Sequence, residues 1–336
     1  MLLRGRMLPV VALIAAMLAS PASAEDKVSL AVDWVLNGTH AGYFVAKEKG
    51  FYKDVDLDVS ISRGFGSGDT VKRVATRGVD FGIADTGAVI SARANDDIPV
   101  LAIAMIYDRA SLGLIYLKDS GIKTPKDLEG RTLARTASGA SVNMFPGFLK
   151  ANSIDRSKMK ELVVDGATYL PLLLSGQADA VIEQAINIGK FTKEAKKYGK
   201  EAVAMRYSDY GLEAYGNAVI THPDTVVKNP DLTRRFIAGS LRGIAYALDN
   251  PEEAADILVR SNPEINRDGA LDELAALKDT ESTEDIKAHG LGYIKKDRME
   301  ATRNTVTEAL SLKKTVAVED IYNDRFLPSP PIKFGH

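Results

Sequence analysis

The 336-residue chain balances 43 Lys and Arg against 45 Asp and Glu, for a formal net charge of −2, and contains no cysteine. That balance gives no electrostatic case for nucleic acid or an anionic membrane surface, so neither is expected as a partner. Disulfides and thiolate metal sites are excluded, and stability must come from an apolar core, which a chain of about 300 residues builds readily, often as two domains.

Arg4 and Arg6, the apolar run Met7 to Leu18 and the small-x-small Ala22-Ser23-Ala24 read as a secretory signal peptide over 1–24, too short to span a membrane. The mature chain is expected to start at Glu25 and to diffuse freely in a periplasm, since it lacks the cysteine that anchors a bacterial lipoprotein. The strand "KVSLAVDW" comes first, then the helix "HAGYFVAKEKG" with Gly50 placed to end it. In "VDLDVSISR", Val55, Leu57, Val59 and Ile61 alternate with polar residues, the pattern of a half-buried strand. The loop "GFGSG" (Gly64 to Gly68) leads into a helix for which Asp69 is a reasonable N-cap. "VDFGIADTGAVISARAND" reads as strand, loop and helix, and "IPVLAIAMIY" as a buried strand.

A second unit starts near "TPKDLEGRTLARTASGASVNMF" and continues the alternation through "ELVVDG", "ADAVIEQAINIGKF" and "EAVAMRY". Alternating strands and helices predict an α/β fold of mostly parallel sheets, with ligands beyond the carboxyl ends of the strands. "AMIYD" and "AMRYS" each end a buried strand and are each followed by a further short strand, "LGLIYLKD" and "GNAVITHPD". Two such echoes predict a chain that leaves one lobe and returns. Lobe 1 is expected over 25–110 with 216–336 and lobe 2 over 111–215, joined by two hinge crossings. Beyond Thr221 the pattern is helical, and "NPDLTRRFIAGSLRGIAYALDN" has Asn229 as N-cap and Pro230 at the first helical position.

The segment "DWVLNGTHAGYFVAKEKGFYKDVDLDV", with "TPKDLEGRTLA", "LLSGQADAVI" and "VEDIYNDRFLP", resembles the periplasmic substrate-binding proteins of ABC transporters. The group in question includes binders of thiamine-related pyrimidines, taurine, alkanesulfonates and nitrate, and the first segment is most similar to its pyrimidine-binding branch. The resemblance covers essentially the whole mature chain. It implies a two-lobed periplasmic binding protein of type II that closes on a small molecule and delivers it to an ABC permease with its ATPase. Such a receptor is expected to be a monomer, without cofactor, metal or catalytic residues. A thiamine-related pyrimidine is the expected ligand; a sulfonate or aromatic carboxylate is the alternative.

The expected ligand contacts lie just past strand ends. Trp34 offers a ring face to a planar ligand, the alternative being core packing. Asn37 offers a donor and an acceptor, or is only the turn residue of Asn37-Gly38. His40 is a hydrogen-bonding partner or a helix cap; His222, His289 and His336 are too scattered to join it on a metal. Gly66 and Ser67, and Ser138 and Ser141 of "TASGAS", bring backbone N–H groups to facing helix starts, a setting that suits an anionic ligand group or is simply two βα turns. Asp85 and Thr86 follow a strand in the same way. Glu183 is expected to accept N–H donors from an aminopyrimidine edge, with Asn187 one helical turn on. Tyr107, Asp108 and Tyr210 sit at the crossings, as contacts or as hinge packing.

Two enzyme readings compete. "ADTG" and "DSG" imitate aspartic-protease motifs, but they lie too close together in an α/β pattern. A fungal pyrimidine synthase is similar in fold, and that resemblance implies a cysteine-rich iron motif, which a chain without cysteine does not have.

Overall fold

The computed structural model describes residues 25–335; the expected signal peptide and His336 lie outside them. Ten strands form two five-stranded sheets. In chain order they are β1 (Asp26–Ala31), β2 (Leu57–Ser62), β3 (Phe81–Asp85), β4 (Leu101–Met105), β5 (Gly113–Leu117), β6 (Thr132–Arg135), β7 (Lys160–Val163), β8 (Ala180–Ile182), β9 (Ala202–Arg206) and β10 (Asn217–Thr221). The first sheet runs β2-β1-β3-β10-β4 and the second β7-β6-β8-β5-β9. Each contains one antiparallel strand, β10 in the first and β5 in the second. Each of these strands enters its sheet directly from the other lobe. A short crossover without an α-helix reverses the chain, whereas the α-helical crossovers keep the remaining strands parallel.

The two crossings are bonded to each other. Ile106 and Tyr107 donate their N–H groups to Asn217 O at 2.8 and 2.9 Å, Gly216 N donates to Tyr107 O at 3.0 Å, and Ala110 N to Ala214 O at 3.0 Å. The hinge is therefore a short antiparallel ribbon, and Thr86 braces it by donating its hydroxyl to Gly216 O at 2.6 Å.

Local chemistry explains the elements around the cleft. In β2, Leu57 and Val59 are buried while Asp58 and Ser60 are exposed, as the alternation requires. The helix Ala41–Glu48 ends at Lys49, and Gly50 follows with φ of 78°. The helix after the glycine loop begins earlier than expected, at Ser67. Its N-cap is Gly66, with φ of 118°, and Asp69 falls in the first turn as a charge complement to the helix dipole. Pro230 opens the helix Pro230–Asp249 after Asn229, as the sequence predicts, although the Asn229 side chain makes no capping bond.

Late helices of the first lobe reach the second. Helix Arg267–Glu281 runs beside the cleft mouth, and Asp272 on it crowds Gly189. Helix Lys296–Leu310 packs on helix Ala140–Ala151 through Ala309 against Gly147. Among the described residues, no helix is long and apolar enough to cross a membrane.

Candidate functional site

The carboxyl ends of β1, β3, β6 and β8 face one another across the gap between the sheets, and the side chains just beyond them form one polar network. It starts at Asp33, 3% exposed and two residues past β1. Asp33 Oδ2 accepts from Asn217 Nδ2 at 2.8 Å, and its Oδ1 meets His40 Nε2 at 3.1 Å. Asn37 N–H donates to His40 Nδ1 at 3.3 Å, which assigns the ring proton to Nε2 and makes His40 the donor to Asp33. His40 takes the N-cap position of the following helix without a side-chain bond there; its Nδ1 closes a capping box on the turn Gly38–His40 while its Nε2 is held by Asp33.

The network crosses to the second lobe through amides. Asn37 Nδ2 donates to Asn187 Oδ1 at 3.2 Å, and Asn187 Nδ2 donates to Glu183 Oε1 at 3.0 Å. Glu183 Oε1 also accepts from Gln184 N at 2.7 Å, whereas Oε2 has no partner in the chain. Three more buried polar atoms of this region lack a partner in the chain: Asn217 Oδ1, Tyr43 Oη and Thr136 Oγ1.

Electrostatics show how closely these groups converge. Burial pushes Asp85 up to about 7, against hydrogen bonds from the Gly87 and Ala88 N–H groups, and the Asp33 charge adds to the rise. Burial likewise raises Glu183; Lys190, the Gln184 N–H and Asn187 oppose it, and Asp33 again adds. The phenols of Tyr43 and Tyr107 are raised well above the usual range, first by burial and further by Asp33. Among the described buried residues the acids are Asp33, Asp85, Asp108, Glu183, Glu273 and Glu281, and His40 is the only basic side chain. An interior of this composition suits a ligand that brings N–H donors.

The expected contacts divide. Asn37, His40, Asp85, Tyr107, Glu183 and Asn187 all lie in or against this network. Ser67 is turned to the fold, its Oγ accepting from Asp85 N at 3.1 Å. Thr86 is committed to the hinge, as described above. Ser141 Oγ accepts from Gly113 N at 3.0 Å and so fixes the start of β5. Tyr210 is a correction: its ring packs edge-on against Phe148 at 6.3 Å and its carbonyl accepts from Asn152 Nδ2. Both partners lie two to three turns down helix Ala140–Ala151, away from the cleft. The facing helix starts touch each other. Gly68 N–H donates to Ser138 O at 3.3 Å, and Ser138 Oγ donates to Phe65 O at 3.3 Å. The turns carrying Gly66 and Ser138 thus hold each other through one N–H and one hydroxyl.

Trp34 is half-buried and seated in the second lobe. A Cβ on Gly166 would lie 2.5 Å from its Cζ2, and the Tyr169 ring is 6.5 Å away, tilted by 41°. Only glycine at 166 leaves room for the indole. Asp33, Asn217, Thr136 and Tyr43 escaped sequence reasoning. Asp33 had a signal, as the first polar residue after a buried strand, while the other three join the site only through the packing of β10, β6 and helix Ala41–Glu48. Among the described residues no group of three or more His, Cys, Asp or Glu is arranged to hold a metal ion.

Comparison with known proteins gives this geometry a context. The alkanesulfonate-binding protein SsuA of Xanthomonas axonopodis pv. citri, solved bound to MOPS, superposes with a TM-score of 0.69 at 12% identity, covering 90% of this chain and 100% of that one. That likeness establishes the periplasmic-binding-protein fold. The formylaminopyrimidine-binding protein of Halalkalibacterium halodurans is 25% identical over 249 residues, 74% of each chain. A 4-amino-5-hydroxymethyl-2-methylpyrimidine phosphate synthase of Legionella pneumophila is 26% identical over 252 residues, 72% of this chain and 76% of its own. The model of the NMT1/THI5-like family matches residues 37–254, from Asn37 of the cleft network to Ala254 in the helix Pro251–Ser261. The chain belongs to the NMT1/THI5-like family.

Proposed function

We propose that this protein is the periplasmic solute-binding receptor of an ABC importer, with lobes 25–110 plus 216–336 and 111–215 closing on a small planar nitrogen heterocycle. A thiamine-related aminopyrimidine fits best. The observation that carries the reading is Glu183: it is 4% exposed, one carboxylate oxygen lacks a partner, and no buried Lys or Arg accompanies it. The exocyclic amine supplies N–H donors to such an oxygen, and a ring nitrogen adds a charge-assisted one when it is protonated. A sulfonate would meet Asp33, Asp85 and Glu183 with no buried arginine to offset them. The name of the formylaminopyrimidine-binding relative supports the same ligand class. The receptor acts as a monomer and hands its ligand to the permease and ATPase.

The synthase named among the relatives is the second reading. The chain contains no cysteine, so it lacks the cysteine-rich iron motif that the resemblance to a fungal pyrimidine synthase implies. One experiment tests the receptor reading. The protein is titrated with 4-amino-5-hydroxymethyl-2-methylpyrimidine and with taurine while Trp34 emission is followed, and the mixture is then analysed by mass. The receptor reading expects saturable one-to-one quenching by the pyrimidine, none by taurine, and recovery of the pyrimidine unchanged. Conversion of the added molecule, or binding of taurine alone, defeats it.

A further inference from the structure

At the mouth of the cleft, outside the Asn37–Asn187 bridge, lies a cavity of about 460 Å³ with walls from both lobes. Pockets of this size hold a drug-sized ligand or a substantial part of one. Its walls are largely apolar: Trp34, Val35 and Leu36 from the loop after β1, Ile265 ahead of helix Arg267–Glu281, and Leu170 from the second lobe. Two hydrogen bonds, Asn37 to Asn187 and Asn187 to Glu183, connect the cavity wall to the carboxylate that would hold the ligand's head. A single-ring head on Glu183 leaves this space unused.

The charged groups of the cavity are mostly committed. Lys193 is paired with Asp268, Glu194 with Lys197, and Arg63 lies over the Phe65 ring and 3.9 Å from Asp165. Glu273 is buried, and its Oε2 accepts from Gly38 N at 2.7 Å. Glu264 is exposed at the rim. Lys190 is different. It lines the cavity, is half-buried, and among the described residues has no carboxylate within ion-pair distance. It is close enough for its charge to lower the carboxyl groups of both Glu183 and Glu273.

We infer that the mouth cavity is a second subsite of the same ligand, taking an apolar arm that ends in an anion, with the Lys190 ammonium as its counterion. The inference rests on the receptor reading above and narrows it to two-part ligands: an N–H-donating planar head and an amphipathic anionic arm. The arm gains from desolvating its methylenes against Trp34, Leu36, Leu170 and Ile265. Its anion gains from a cation that no protein carboxylate already neutralises.

The test uses three 4-aminopyrimidines carrying hydroxymethyl, butyl or 4-carboxybutyl at ring C5, titrated calorimetrically into the full mature protein, its Lys190→Met variant and its Lys190→Arg variant. The butyl compound is expected to bind about tenfold more tightly than the hydroxymethyl compound. The carboxybutyl compound is expected to gain about a further tenfold, which Lys190→Met removes and Lys190→Arg largely keeps. Hydroxymethylpyrimidine, which carries no anion, should lose clearly less than the carboxybutyl compound on Lys190→Met, since Lys190 reaches the head only through its field at Glu183. If the hydroxymethyl compound binds and neither arm tightens it, the subsite is overturned and the receptor reading stands. Equal weakening of all three compounds by Lys190→Met also overturns it, because Lys190 would then act on the head or the fold. If none of the three binds the wild-type protein, both readings fall.

Discussion

The hinge and the cleft both bury carboxylates, and they treat them differently. At the hinge, Asp108 is fully buried and its Oδ2 accepts from Arg298 Nη1 at 2.7 Å, while Arg298 Nη2 donates to its carbonyl. Its N–H donates to Glu281 Oε1 at 2.8 Å. Glu281 is raised well above the usual carboxylate range, first by burial and further by the Asp108 charge. In the cleft, Glu183 and Asp85 are as deeply buried, but their protein donors are backbone N–H groups and one amide. Unpartnered oxygens occur in both places, at Asp108 Oδ1 and Glu281 Oε2 as well as at Glu183 Oε2. They do not separate structure from function. The guanidinium does: the hinge carboxylate has an arginine bonded to it, and no lysine or arginine is bonded to the cleft carboxylates.

The sharpest way to break this contrast is at the hinge. Asp108→Ala strips Arg298 of its buried partner and the hinge of its pin, and is expected to cost about 3–5 kcal/mol of unfolding free energy in a urea titration. Glu183→Ala is the complementary change. Folding should survive within about 1 kcal/mol, because a buried charge is removed, while aminopyrimidine binding measured by calorimetry should fall by about 2–4 kcal/mol. If Asp108→Ala is silent and Glu183→Ala unfolds the protein, the two regions have been assigned the wrong way round.

Acidity sharpens the contrast further. Asp85 and Glu273 are each raised to about 7 in the folded chain, first by burial. Between their unfolded values, near 4, and that folded value, the native state holds protons that the unfolded chain has released. Their contribution is fully present below about pH 4 and is lost as pH rises toward 7. Asp85→Asn keeps an acceptor for the Gly87 N–H and removes the titration. Its denaturation midpoint, relative to wild type, should improve from pH 5 to pH 8 by the equivalent of about 2 kcal/mol. A difference that does not change with pH would show that Asp85 is ionised throughout.

The smallest expected effect is at the seat of the indole. Trp34→Ala should cost about 1–3 kcal/mol of ligand affinity and Trp34→Phe less. Gly166→Ala, which places a methyl where the indole lies, should produce a loss of similar size without touching any network residue. If Gly166→Ala leaves both the affinity and the Trp34 emission unchanged, the indole does not use this seat when ligand is bound.

Periodicity and junction chemistry determined a good deal. The alternation at Leu57 and Val59, the helix stop at Gly50, the Asn229-Pro230 start and the two hinge crossings are all local patterns, and a local pattern fixes an element whatever it later packs against. Cleft membership was legible for Asn37, His40, Asp85, Glu183 and Asn187 because residues just beyond parallel strands emerge at one sheet edge. Rotamers and partners were not. Whether a serine at a βα turn faces ligand or fold depends on which N–H group lies within about 3 Å, and for Ser67 and Ser141 those groups belong to Asp85 and Gly113. The same holds for Trp34, whose seat is a glycine from the other lobe, and for Asp33, which became the centre of the network only when β10 brought Asn217 beside it. Sequence order carries the position of a side chain along its own element. The identity of its neighbour across the cleft is a long-range fact, set when two sheets made of distant segments dock.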